Sequence, residues 1–133
     1  MALNQDRNTP YNDGEILAMP VAASVEIFSG ALVVANASGY VAPGTTATGL
    51  TYLGRADQHI DNSAGGDGDK SVLVRRGKAF RFANDSGDPV DQSSLGKVAY
   101  IVDDETVAAT DGTSTRSPAG TVVGIDAAGV WIE

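Results

Sequence analysis

The sequence predicts an all-β domain, an antiparallel sandwich or barrel of roughly eight or nine short strands. Three observations carry that prediction. Lys97–Ala109 reads Lys-Val-Ala-Tyr-Ile-Val-Asp-Asp-Glu-Thr-Val-Ala-Ala, in which Val98, Tyr100 and Val102 alternate with Ala99 and Ile101 before three acids interrupt the run. A period of two belongs to a strand, and two β-rich runs around a short acidic break make a hairpin. The same plan returns in Thr121–Ile125 and Val130–Ile132, separated by Asp126-Ala127-Ala128-Gly129. Sixteen glycines, with many Ala, Ser, Thr and Asp, require frequent turns, and no stretch long enough for a helix carries helical periodicity. The whole domain is expected to be built from such hairpins.

In chain order, Met1–Gly14 is polar, contains Pro10 and closes on the turn signal Asn12-Asp13-Gly14. Residues 1–15 are therefore expected to form an extended arm ahead of a single β domain over 16–133. Such an arm is either a frayed terminus or a segment that orders on a partner, with Leu3, Arg7 and Tyr11 as its candidate anchors. Glu15–Val21 and Val25–Ala35 are β-rich. Leu32-Val33-Val34 runs through Asn36-Ala37-Ser38-Gly39 into Tyr40-Val41, a hairpin whose loop offers Gly39 for positive φ. Pro43–Gly49 is a small-residue loop, and Leu50–Ala56 is the next strand, continuing less regularly through Asp57–Ile60. Asn62–Asp69 is the strongest breaker and reads as an exposed, mobile loop.

Ser71–Ala83 sets a conflict. Strict alternation would put Val72, Val74, Arg76, Lys78, Phe80 and Phe82 on one face, with two charges in the core-facing row. A bulge or bend at Gly77 resolves it, and so does a tight hairpin at Arg76-Gly77. Asn84–Ser94 and Thr110–Ala119 are loops on either side of the central hairpin.

At 133 residues the chain is one domain, which buries roughly two thirds of its unfolded surface and so needs no staples. Its formal net charge of −8 argues against nucleic acid as a partner, because phosphate backbones repel it. No apolar run approaches the ~20 residues of a spanning helix, which argues against a membrane. Met1–Pro10 lacks the apolar stretch of a secretory signal. Without cysteine there are no disulfides and no thiolate metal sites.

The inventory for catalysis is thin, and the chain reads as a non-enzyme without a cofactor. His59, the single histidine, lies in Asp57-Gln58-His59-Ile60-Asp61 and reads as an exposed residue at a strand end. No Gly-x-Ser-x-Gly elbow accompanies it. Gly65-Gly66-Asp67-Gly68-Asp69 invites a calcium reading, but Lys70 stands where the β-roll repeat needs an acid, and no glutamate closes an EF-hand loop. Weak calcium binding at Asp67 and Asp69 stays open. Asp103-Asp104-Glu105 reads as a solvated turn. Gly96-Lys97 lacks the upstream glycine of a Walker A loop.

One electrostatic feature stands out. Arg75, Arg76, Lys78 and Arg81 are four of only nine basic side chains. They make either a solvated strand paired locally with acids or a contact surface for an acidic partner, a second copy included.

Ser29-Gly30-Ala31-Leu32-Val33, Gly96–Asp104 with Thr106-Val107, and Gly120–Ile125 together resemble the corresponding stretches of tailed-bacteriophage capsid cement (decoration) proteins. The resemblance runs from about Ile16 to Glu133. It implies a β-sandwich of jelly-roll type, made in the bacterial host cytoplasm, that binds the outside of an assembled head. Its partners would be the major capsid protein and itself, as a dimer or trimer. It brings no catalytic residues. The other virion reading is a head fibre or tail appendage that recognises a host glycan.

Overall fold

Short β-branched runs and glycine turns alternate along the chain, and each run becomes a strand. The computed structural model describes residues 2–133; Met1, the first residue of the expected arm, lies outside them. The strands are β1 (Ile16–Pro20), β2 (Val25–Ile27), β3 (Leu32–Ala35), β4 (Val41–Pro43), β5 (Thr51–Ala56), β6 (Ile60–Asn62), β7 (Ser71–Arg75), β8 (Phe80–Asn84), β9 (Val98–Ile101), β10 (Thr106–Ala108), β11 (Pro118–Asp126) and β12 (Gly129–Ile132). A single 3-10 turn, Gln92–Ser94, is capped by the Asp91 carboxylate, which accepts from the Ser93 N–H. The all-β class is as the sequence predicts. The twelve strands exceed the expected number because β2, β4, β6 and β10 have three residues each, too few to leave a period in the sequence.

The strands form an open sheet in the order β1-β7-β5-β3-β4, a closed barrel β10-β8-β12-β11-β9, and a two-stranded ribbon β2-β6. Strand pairs are antiparallel except β10 with β8. Three of the expected hairpins are present: β3–β4, β9–β10 and β11–β12. Their turns use the predicted residues. The Asn36 side-chain oxygen accepts from the N–H groups of Ser38 and Tyr40, both at 3.0 Å. The Asp126 carboxylate does the same for Ala128 (2.8 Å) and Gly129 (3.0 Å). Hairpins do not, however, build the whole domain. β1 pairs with β7 and β2 with β6, both across long stretches of chain.

Gly77 is a bend, the first of the two expected resolutions, and neither a bulge nor a tight hairpin. It has φ +69°, and β7 and β8 on either side of it do not pair: β7 lies in the sheet and β8 in the barrel. The segment is a crossing between layers. Val72 and Val74 fill the sheet core while Phe80 and Phe82 fill the barrel core, so the two charges between them never enter a core-facing row.

The layers share β3. Leu32 and Val34 point into the barrel core, Val33 points into the sheet core, and all three are fully buried. Fully burying such a side chain contributes about 1.5–3 kcal/mol. The junction is also bonded: the Leu32 N–H donates to the Asp104 carbonyl at 2.7 Å, and buried Ser117 donates to the Ala47 carbonyl at 2.7 Å while accepting from the Leu50 N–H at 3.0 Å. Arg55 of β5 lies over the Phe80 ring of β8, 5.2 Å from its centroid.

Candidate functional site

Residues 2–14 are exposed throughout. Their polar composition gives them nothing to bury, so no strand forms ahead of β1. Leu3 is 73% and Tyr11 98% exposed. The Arg7 guanidinium donates to the Thr9 hydroxyl at 2.9 Å. Among the described residues only the root is fastened: the Arg76 N–H donates to the Glu15 carbonyl at 2.7 Å, and Lys78 pairs with the Glu15 carboxylate at 3.1 Å. The structure thus joins the two expected contact elements, arm and basic segment, at Glu15.

The crossing at Gly77 splits the basic segment. Arg75 and Arg55 converge on Asp57, whose carboxylate accepts from Arg75 at 3.0 and 3.3 Å and also from Arg55. The Arg75 hydrogen bond, followed by that of Arg55, holds the Asp57 carboxyl below the usual carboxylate range; Asp57 in turn raises Arg75. Arg81 belongs to the barrel exterior, 5.6 Å from the Trp131 ring centroid and 3.9 Å from Asp126. The Trp131 indole N–H donates to Asp126 at 3.0 Å and, ahead of the backbone N–H bonds, lowers that carboxyl. Among the described residues, Arg76 alone of the four makes no ion pair.

His59 is exposed beside β6. Its Nε2 lies 2.8 Å from a Glu26 carboxylate oxygen, and its ring stacks on Phe28 with centroids 5.0 Å apart and planes 6° apart. No hydroxyl bonds to the ring among the described residues. In the Asn62–Asp69 loop, Asp67 accepts from the Ala23 N–H at 2.8 Å and Asp69 from the Gly66 N–H at 2.7 Å. Buried Asn62 donates to the carbonyls of Ala22 (2.8 Å) and Gly66 (3.1 Å), which pins this exposed loop to the connection before β2. Among the described residues, no three His, Asp or Glu side chains converge as metal ligands. Burial pushes the Tyr52 phenol well above its ordinary value, which keeps it protonated. No helix is long and apolar enough to cross a membrane.

Two features escape sequence reasoning. Arg116 pairs with Asp88 at 2.8 Å and with the Thr110 carbonyl at 3.1 Å, closing the loop after β10. Phe28 is 56% exposed. Alternation was a usable signal: with Val25 and Ile27 facing inward, Phe28 falls on the outer face with Glu26.

No family model matches the chain, and no curated protein or solved structure matches it.

Proposed function

We propose that this chain is a non-enzymatic capsid cement protein, binding the outer surface of a phage head as a dimer or trimer and tying neighbouring major capsid proteins together. One observation carries the reading: a domain that pairs its own strands bears an arm, residues 2–14, that stays exposed along its whole length. A segment without a core of its own gains order by lying on another surface. The reading includes a jelly-roll kinship for the domain, which the resemblance implies and which has the all-β, mainly antiparallel architecture as its support.

The physics suits the role. Packaged DNA presses outward on a thin shell, and failure begins where subunits part. A clamp that bridges two subunits makes its second contact intramolecular, so two weak contacts hold as one stronger one. Cyclic symmetry in the clamp matches symmetry in the shell. A net charge of −8 keeps the clamp off nucleic acid. Heads lacking the protein are expected to assemble normally yet release DNA at a lower temperature, as read by dye access during a heat ramp. Equal heat resistance with and without it would refute the role.

A further inference from the structure

Where the turn between β2 and β3 meets the tip of the β9–β10 hairpin there is a cleft of about 440 Å³, lined by Phe28, Ser29, Gly30, Ala31, Asp104 and Glu105. Its aromatic wall is held in place, because His59 stacks flat on Phe28 and Glu26 holds His59. Its acidic wall is uncompensated: no basic side chain lines the cleft, and Asp104 and Glu105 make no ion pair among the described residues. A fixed ring beside free carboxylates suits a guanidinium, which stacks on the π face and forks to carboxylate oxygens. A neutral sugar would leave that charge unanswered.

The same chain carries such a group with nothing to receive it. Arg7 is the arm's one cation. Its guanidinium is bonded only to Thr9 among the described residues. In an extended chain alternate residues share a face, so Leu3, Arg7 and Tyr11 fall on one side and Asp6 on the other. Fully extended, residues 2–14 reach roughly 40 Å, against a radius of gyration of about 14 Å for a domain of this size. The arm therefore outreaches its own domain. We propose that the arm of one copy crosses to a second copy and seats Arg7 in the Phe28–Glu105 cleft. Exchange between two copies, or around a ring of three, repeats the contact at every interface and links the copies into one clamp. The purpose assigned to this contact rests on the cement reading; its existence is tested without any capsid.

Sedimentation equilibrium of the full chain is the test. The wild type associates with rising concentration. Arg7→Glu and Glu105→Arg each raise the dissociation constant about tenfold or more. An equal mixture of the two variants associates again, because each supplies the wall or arm that matches the other; a pair recovers both contacts, and a ring of three recovers two of its three. Phe28→Ala weakens association as well and leaves the unfolding temperature unchanged, since the ring is largely exposed. A wild type that stays monomeric, single variants that associate like wild type, or a mixture that fails to recover overturns the proposal. So does a glycan-array signal lost in Phe28→Ala, which gives the ring to a sugar. So does loss of head binding with self-association intact, which gives the cleft to a basic group on the shell. Failure of self-association leaves the head-stability experiment to judge the cement reading separately.

Discussion

In the barrel, every strand has a neighbour on both sides; in the sheet, β1 and β4 have a neighbour on one side only. Sheet strands run three to six residues and barrel strands three to nine, but the difference that matters is closure. A closed barrel has no free row of N–H and C=O groups, whereas an open sheet offers two. Charge follows the same division. Residues 77–133 hold nine acidic and four basic side chains, and residues 16–76 hold five and four. The arm enters at the β1 edge of the sheet. The barrel is thus a self-contained scaffold and the sheet is the side with surface left over, with β3 buried between them.

The largest expected effect tests whether the two halves stand or fall together. Leu32→Ala removes a side chain from the barrel core at the strand that also carries Val33 into the sheet core. It is expected to cost about 2–5 kcal/mol. In urea, Trp131 fluorescence and far-ultraviolet dichroism should lose signal in one transition. A barrel that outlasts the sheet would separate the halves.

A matched pair of glycines sharpens the comparison. A Cβ on Gly54 would collide with the Arg75 carbonyl in the sheet, and one on Gly129 with the Phe82 carbonyl in the barrel. Backbone carbonyls cannot swing aside as a flexible side chain can. Gly54→Ala and Gly129→Ala are each expected to destabilise by about 1–3 kcal/mol. Equal losses in thermal unfolding would say that both halves are equally tight; tolerance at Gly54 alone would mark the sheet as the looser one.

Acid probes both halves at once. Asp57 in the sheet is held below its ordinary value by Arg75 and Arg55, and Asp88 beside the barrel by Thr110 and then Arg116. A depressed carboxyl contributes stability that is fully present above its unfolded value near 4 and is lost as pH falls through the lower folded value. The unfolding temperature should therefore hold steady down to about pH 5 and fall below about pH 4. Asp57→Asn should start lower and fall less. A temperature that rises on acidification would contradict the pairing. The smallest effect belongs to Lys78→Ala, which breaks an exposed pair with Glu15 worth about 0–1 kcal/mol.

How much of this was legible depends on how far each interaction reaches along the chain. The β9–β10 and β11–β12 hairpins were readable because their alternation and their Asp and Gly turns lie within one short stretch. The β1–β7 pairing was not, because nothing local in Ile16–Pro20 names its partner. The arm was visible as a polar run ahead of the first strand. The basic segment was visible as a cluster but not as a divided one. Asp57, which takes up Arg75, lies 18 residues before it, and the crossing at Gly77 moves Arg81 to another layer. The Phe28 cleft joins two loops distant in sequence, so only its ring left a local trace.

The central claim is that the domain is complete in itself and the arm is what it holds out to others. Deleting residues 1–14 and measuring both thermal unfolding and co-sedimentation with heads tests it most directly. The account predicts an unchanged unfolding temperature with attachment to heads sharply weakened. Undiminished attachment, or a domain that no longer folds, would contradict it.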